Sequence, residues 1–249
     1  MDPGVRSPLI DFFRRGEVAQ DVRLLAARGA FAPRPLEQLA LLMWLLDDAD
    51  PMVAQTARQT IDSLPPIAVG KFIGRKDVPS QMRDFFASYG IQPLEPVPGE
   101  PEEPLLTTPE YDEPLEESSD PKTLSSLGVV ERMKLAMKGN REQRGQLIRD
   151  SNKLVSAAVL SSPKVNESEI EAYAKMGNVS EDVLRIIGTN RAWTKNYSII
   201  AALTKNPKTP PAISLQFIAR LNEKDQKQLT TDRNAPEAVR LAAKKYLKK

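Results

Sequence analysis

The side chains best suited to chemistry in this sequence are basic groups beside predicted turns of its C-terminal part. Where helices stack side by side, corresponding turns line one edge, so these cations are predicted to form a basic ridge. Such a ridge would attract phosphates or an acidic protein surface through its summed field. The alternative is that the cations occupy solvated positions and helix C-termini, where lysine and arginine are favoured. The candidate cations are Arg149, Lys153, Arg191, Lys195, Lys205, Lys208 and Arg233.

Trp193 stands within this basic series, between Arg191 and Lys195. Tryptophan and arginine are over-represented among binding hot spots, and aromatic residues interleaved with basic ones suit stacking on nucleic-acid bases. On a continuous helix, however, Trp193, Tyr197 and Ile200 share one face, and that spacing favours core packing. The exposure of the tryptophan ring decides between a contact residue and a core residue.

The residue types that most enzymes use are missing. The chain has no histidine and no cysteine, which removes the commonest general base, the commonest metal ligand and any thiol nucleophile. No glycine-rich phosphate loop occurs. Asp47, Asp48 and Asp50 fit a turn and helix cap, because no distal glutamate follows at calcium-loop spacing. The sequence therefore predicts a non-enzymatic protein with no metal, no cofactor and no small-molecule substrate.

The longest apolar run, residues 39–46, is far shorter than the roughly 20 residues that cross a bilayer. The first residues lack a basic segment followed by an apolar core, so no secretory signal is visible. We therefore expect a cytoplasmic protein with no membrane insertion.

The net charge of +2 hides a strong partition along the chain. Residues 1–94 hold 11 basic and 11 acidic side chains. Residues 95–120 hold 10 acidic and no basic side chains, whereas residues 122–249 hold 24 basic and 12 acidic ones. The middle segment also carries repeated prolines, which remove backbone donors and disfavour helix. It is predicted to be a disordered acidic linker, and the electrostatic counterpart of the basic segment that follows.

Leu105, Leu106 and Tyr111 are isolated apolar points in this linker. They are either chance residues or part of a short docking motif, because disordered segments often bind through such points. The linker as a whole could also lie against the basic C-terminal part and compete with an acidic partner.

Both flanking regions are predicted to be helical throughout. Asp50 and Pro51 offer a cap and a first-turn proline for a helix with one apolar stripe. In the C-terminal region, the spacing of the predicted capping residues indicates repeat units of about 25–30 residues, some of which contribute two helices. Two of them have capping-box spacing, Asn166 with Glu169 and Asn234 with Glu237. The four predicted caps are Asn166, Ser180, Thr209 and Asn234.

Two stretches resemble known helical repeats. Residues 39–64, with the turn Asp47-Asp48-Ala49-Asp50-Pro51-Met52-Val53, look like a HEAT-type helical hairpin, although Ala54 stands where that family often has a basic residue. The turns Asn206-Pro207-Lys208-Thr209-Pro210 and Asn234-Ala235-Pro236 are similar to those of variant leucine-rich and HEAT-like solenoids of bacteria. The resemblance implies architecture, and scaffolds with one extended binding surface, rather than an activity.

These observations predict an all-α protein with two HEAT-like α-solenoid domains, residues 1–92 and 123–249, joined by an acidic proline-rich linker, residues 93–122. The expected function is a non-catalytic protein-interaction scaffold or adaptor. The alternative is a nucleic-acid-binding protein that acts through the basic C-terminal domain.

Overall fold

The computed structural model describes residues 2–30, 34–96, 105–106 and 119–247, and the described residues form helices and no strands. The prediction of an all-α chain is confirmed. Most of the predicted linker lies outside the described residues. The α-helices are α1 Pro8–Arg14, α2 Gln20–Ala27, α3 Pro35–Leu45, α4 Pro51–Asp62, α5 Pro66–Ile73, α6 Ser80–Ser88, α7 Pro121–Ser126, α8 Val129–Lys138, α9 Arg141–Leu147, α10 Lys153–Ser161, α11 Glu167–Lys175, α12 Glu181–Thr189, α13 Tyr197–Lys205, α14 Pro211–Phe217, α15 Glu223–Thr231 and α16 Glu237–Tyr246.

The first six helices form where the sequence predicts them. Asp50 caps α4 by accepting a hydrogen bond from the Met52 N–H at 2.9 Å, as expected from its side chain. Four helices of this group begin with a proline at their first position, where the missing N–H has no intrahelical partner in any case. Trp44 is half-buried, and the Arg14 guanidinium lies 5.6 Å from its ring centroid.

The helices from α8 to α16 pack in alternation. The first row consists of α8, α10, α12, α14 and α16, and each of these helices packs on the next helix of the row. The second row consists of α9, α11, α13 and α15, which alternate with them along the chain. In the second row, α11 packs on α13. Short helices of seven to ten residues cannot bury their apolar stripes alone, and this stacking supplies the missing partners.

The N-terminal helices contact this stack. Helix α1 packs on α10, and one cluster of buried apolar residues runs from Val5 to Phe217. A second, smaller cluster lies between α15 and α16 and includes Leu229 and Val239. The start of α7 at Pro121, with Asp120 as its cap, falls inside the predicted linker, so helix resumes two residues before the predicted start of the second domain at 123.

Two predicted caps of the C-terminal part are wrong. Pro210 and Pro236 precede α14 and α16, rather than Thr209 and Asn234, and neither makes a side-chain capping bond. Thr209 and Ala235, the residues directly before these two prolines, are buried. The capping box of Asn166 and Glu169 is confirmed, whereas that of Asn234 and Glu237 does not form.

The segment after α6 turns back along α5. The Leu94 N–H donates to the Gly70 carbonyl at 2.8 Å, although that carbonyl already accepts from the Gly74 N–H. The two glycines permit this approach, because a Cβ on Gly74 would lie 1.8 Å from the Leu94 carbonyl oxygen. The chain entering the linker is thereby fixed to the N-terminal helices.

Gly74→Ala is expected to push residues 91–96 off α5, because backbone cannot yield at that distance as a flexible side chain could. Hydrogen exchange at the Leu94 amide should become fast as its bond to Gly70 is lost. The matched control is Gly145→Ala within α9, where a Cβ meets nothing within 4 Å. Unchanged protection of Leu94 in the Gly74 variant would contradict the close approach.

Candidate functional site

Four asparagines mark one edge of the C-terminal stack. Each is the N-cap of a helix in the second row, and its side-chain oxygen accepts a hydrogen bond from an N–H of the first turn. They recur at intervals of 26, 30 and 26 residues, which is the regular period that the predicted caps had obscured. We call the row of turns that holds Asn140, Asn166, Asn196 and Asn222 the asparagine edge.

The pattern after each asparagine is also regular. Seven residues further on lies a buried residue of the second-row helix, namely Leu147, Tyr173, Leu203 or Leu229. Seventeen residues further on lies a buried residue of the first row, namely Ala157, Val183, Ile213 or Val239. Equivalent positions are therefore buried in four successive helix pairs, the last of which lies in the smaller apolar cluster.

Hydrogen bonds join each turn of the asparagine edge to the next. The Ser162 hydroxyl donates to the Met137 carbonyl at 2.7 Å, and the Asn196 amide donates to the Glu167 carboxylate at 2.8 Å. Further along, the Arg220 guanidinium donates to the Thr194 carbonyl at 2.6 Å. The four turns between α8 and α15 thus form one continuous surface.

The remaining turns lie at the other ends of the helices, which we call the opposite edge. These are the turns between α9 and α10, α11 and α12, α13 and α14, and α15 and α16. Buried Asn206 joins two of them by donating to the Ala174 carbonyl at 2.8 Å and the Met176 carbonyl at 2.9 Å. A nine-residue helix is about 13 Å long, so the two edges are separate surfaces.

The structure divides the sequence-predicted site residues between these two edges. Arg191, Trp193 and Lys195 lie on the asparagine edge, in the turn between α12 and α13. The single ridge predicted from the sequence is therefore not formed by the full set, because alternate turns point to opposite ends of the stack. The sequence-predicted site residues on the opposite edge are Arg149, Lys153, Lys205, Lys208 and Arg233.

Several cations of the opposite edge are engaged within the chain. Lys153 bonds Asp182 at 2.8 Å, and this bond raises the pKa of the lysine. Lys205 bonds Asp225 at 2.7 Å, and that bond, with a second from the Tyr197 hydroxyl, holds the pKa of Asp225 below its usual range.

The other three opposite-edge candidates are exposed. Lys208 reaches the Val179 carbonyl at 3.4 Å, and Arg149 donates to the Gly145 carbonyl at 3.1 Å. Arg233 lies exposed in the turn before α16. Internal pairing thus leaves the opposite edge with fewer charges directed at a partner than the sequence suggests.

Trp193 is half-buried at the asparagine edge. It belongs to a short 3-10 helix, Trp193–Lys195, and packs partly against the core. The prediction of one continuous helical face with Tyr197 and Ile200 is wrong, because Asn196 is extended and starts a new helix. Arg191 and Lys195 are exposed on either side of the ring.

The asparagine edge carries further cations that the sequence analysis did not select. They lie at ends of helices or within turns whose alignment only the folded stack reveals. Lys164 illustrates this, because its ammonium bonds the Lys138 carbonyl of the preceding turn. The asparagine spacing was the sequence signal that could have found them. These cations are Lys138, Arg141, Lys164, Arg220 and Lys224.

A buried ion pair fixes two neighbouring turns of this edge. Arg144 and Glu169 are 4% and 2% exposed, and the Arg144 Nη2 donates to both carboxylate oxygens, at 2.9 and 3.0 Å. Arg144 also donates to the Gly139 carbonyl at 2.8 Å, and the Tyr173 hydroxyl donates to Glu169 at 3.2 Å. Burial, reinforced by the Glu169 charge, raises the pKa of Tyr173, so the phenol stays neutral.

Surface clefts among the described residues are open and are lined by charges of both signs. One of about 490 Å³ lies between α11, α13 and α15, and its lining includes Lys175, Lys205 and Asp225. Among the described residues, no group of three or more acidic side chains is placed to hold a metal ion. In the part of the chain that the structure describes, no helix has the length and apolarity to cross a membrane.

Comparison of this chain with protein-family models, with curated proteins and with solved structures finds no match.

Proposed function

We propose that this protein is a non-catalytic scaffold that binds an acidic partner protein through the asparagine edge. The proposal includes an α-solenoid arrangement of HEAT-like type, with residues 1–92 and 123–249 as two repeat domains and residues 93–122 as their link. The observation that carries it is the continuous row of turns, in which exposed Arg191 and Lys195 flank half-buried Trp193. Tryptophan and arginine at the centre of a surface are the residues that most often dominate binding.

The charge pattern of this edge favours a protein over a uniform polyanion. Carboxylates stand among the cations, with Glu142, Glu167 and Glu223 each in a first turn of a second-row helix. A surface of mixed sign matches a partner surface that carries its own complementary pattern, and such matching gives specificity. A nucleic-acid backbone would be repelled at those positions.

The test is affinity capture from a nuclease-treated extract with full-length protein as bait. Arg191→Glu/Lys195→Glu should lose the proteins that wild type retains, because both charges beside Trp193 are reversed. The matched control is Arg149→Glu/Arg233→Glu, which changes the net charge equally but on the opposite edge. It should retain the same proteins as wild type.

Equal loss in both double variants would show that net charge, rather than the asparagine edge, governs capture. Retention by both variants would contradict the proposed binding surface. Circular dichroism of each variant should show wild-type helicity, since all four side chains are exposed.

Nucleic-acid binding is the second candidate, and one specific observation favours it. The asparagine edge gathers the N-termini of α9, α11, α13 and α15, whose positive dipole ends attract phosphates. Titration of the full-length protein with duplex and single-stranded DNA at several salt concentrations tests this candidate. Binding that weakens linearly with the logarithm of salt concentration would support it, and no binding at low salt would exclude it. Deletion of residues 95–120 should strengthen any such binding if the acidic linker competes.

A further inference from the structure

Gln38 places a buried amide in a helix whose other residues, apart from the neighbouring Glu37, are apolar. Helix α3 is otherwise made mainly of leucine, alanine and methionine at its core positions, and Gln38 is 1% exposed. A buried side-chain amide is destabilising unless its donors and acceptor find partners. The partners of Gln38 therefore explain why this residue type stands in the core.

Those partners belong to Gly29 and to two linker residues. The Gln38 Nε2 donates to the Gly29 carbonyl at 2.8 Å and to the Leu106 carbonyl at 2.9 Å. Its Oε1 accepts from the Leu105 N–H at 2.8 Å and from the Leu106 N–H at 3.2 Å. One side chain thus satisfies both kinds of backbone group in a passing segment, as a neighbouring strand would.

The apolar side chains of the segment are also held. Leu105 and Leu106 are half-buried and pack against the core of the N-terminal helices. Gly29 has a φ of 86°, and a Cβ on it would lie 3.4 Å from the Leu106 Cδ1. The site therefore recognises backbone through Gln38 and leucine side chains through shape.

We propose that Gln38 and Gly29 form a docking site for a Leu-Leu segment of a partner protein, and that Leu105-Leu106 is the resident competitor. The flanks of the resident segment are acidic, with Glu102 and Glu103 before it and Glu110 after it. The flanks of the site are basic, with Arg28 next to Gly29 and Arg34 at the cap of α3. The partner segment is therefore an acidic peptide with two adjacent leucines. This site is independent of the asparagine edge.

Covalent attachment gives the resident segment an advantage over a free peptide. A short tether supplies an effective concentration on the order of millimolar, so a partner segment binds well only when the linker leaves. The contact of Leu105-Leu106 with Gln38 is then autoinhibitory, and its release exposes the site.

The test uses full-length protein and a fluorescent decapeptide with the sequence of residues 101–110, PEEPLLTTPE. Leu105→Ser/Leu106→Ser vacates the site while leaving Gln38 and Gly29 in place. This variant should bind the decapeptide at least about tenfold more tightly than wild type by fluorescence anisotropy, because the tethered competitor is gone. The decapeptide with both leucines replaced by alanine should not bind.

Absence of binding to the vacated variant, or equal binding of the alanine peptide, would overturn the proposal. A triple variant that adds Gln38→Met, which keeps the side-chain volume but removes the amide, should lose the decapeptide. The alanine peptide decides the question without that variant, because it leaves the protein unchanged.

Discussion

Glu169→Ala should lower the free energy of unfolding by about 3–5 kcal/mol, because it leaves the buried Arg144 guanidinium without its carboxylate. The loss extends beyond the ion pair. Glu169 also accepts from the Tyr173 hydroxyl and from the backbone N–H of Asn166, its capping-box partner. Urea unfolding monitored by circular dichroism measures the change.

The double variant Arg144→Met/Glu169→Leu should recover most of that stability, since buried ion pairs are often replaced by apolar residues at little cost. Glu223→Ala is the exposed control. Its partner Lys227 lies 2.6 Å away, but both side chains are mostly exposed, so the urea midpoint should not change resolvably. A Glu169→Ala protein as stable as wild type would contradict the role assigned to the buried pair.

Phe12→Ala is expected to cost about 3–5 kcal/mol as well, because Phe12 is 2% exposed in the core that helix α1 shares with α10. The ring also supports the Arg15 guanidinium, 4.5 Å from its centroid. Ile67→Ala is the control, since that side chain is 68% exposed and should change stability little.

The fluorescence of the two tryptophans monitors unfolding on both sides of the contact between α1 and α10. Trp44 lies in α3, and Trp193 lies on the asparagine edge. In proteins that keep one tryptophan, the other replaced by phenylalanine, Phe12→Ala should shift both fluorescence midpoints together. A shift seen by Trp44 alone would show that the helices of residues 123–249 unfold independently of α1.

The sequence predicted the helices well because their signals are local. Asp50 and Pro51 begin α4 where expected, and the capping box of Asn166 and Glu169 forms as its spacing requires. Gly16 and Gly90, which follow the C-terminal ends of α1 and α6, have φ values of 69° and 81°, as glycines at helix ends often do.

The sequence did not predict which turns lie together, because that depends on how helices alternate. Asn140, Asn196 and Asn222 escaped notice as caps, whereas Thr209 and Asn234 have cap-like residue types but stand one and two residues before the true caps. The error mixed turns from both edges and obscured the period. The partner of the Leu105-Leu106 segment was equally hidden, since Gln38 lies nearly seventy residues earlier and is one of two polar residues in an otherwise apolar helix.

The division of cations between edges had the same origin. Charge counts showed a basic C-terminal part, but counts carry no direction. Only the hydrogen bonds between successive turns place Lys164 and Arg220 in the same row as Arg191. Ion pairs such as that of Lys153 with Asp182 then reduce the positive charge that the opposite edge offers to a partner, and composition cannot show this.

The measurement that tests the central claim most directly is the affinity of full-length protein at low salt for a labelled acidic 20-mer peptide of mixed sign, (Glu-Glu-Glu-Lys)5, determined by fluorescence anisotropy. Arg191→Glu/Lys195→Glu should weaken binding at least about tenfold, because like charges that face each other across a contact surface repel. Arg149→Glu/Arg233→Glu, with the same net charge, should weaken it less than about twofold through the long-range field alone. Equal weakening by the two double variants, or a larger effect at the opposite edge, would contradict the assignment of binding to the asparagine edge.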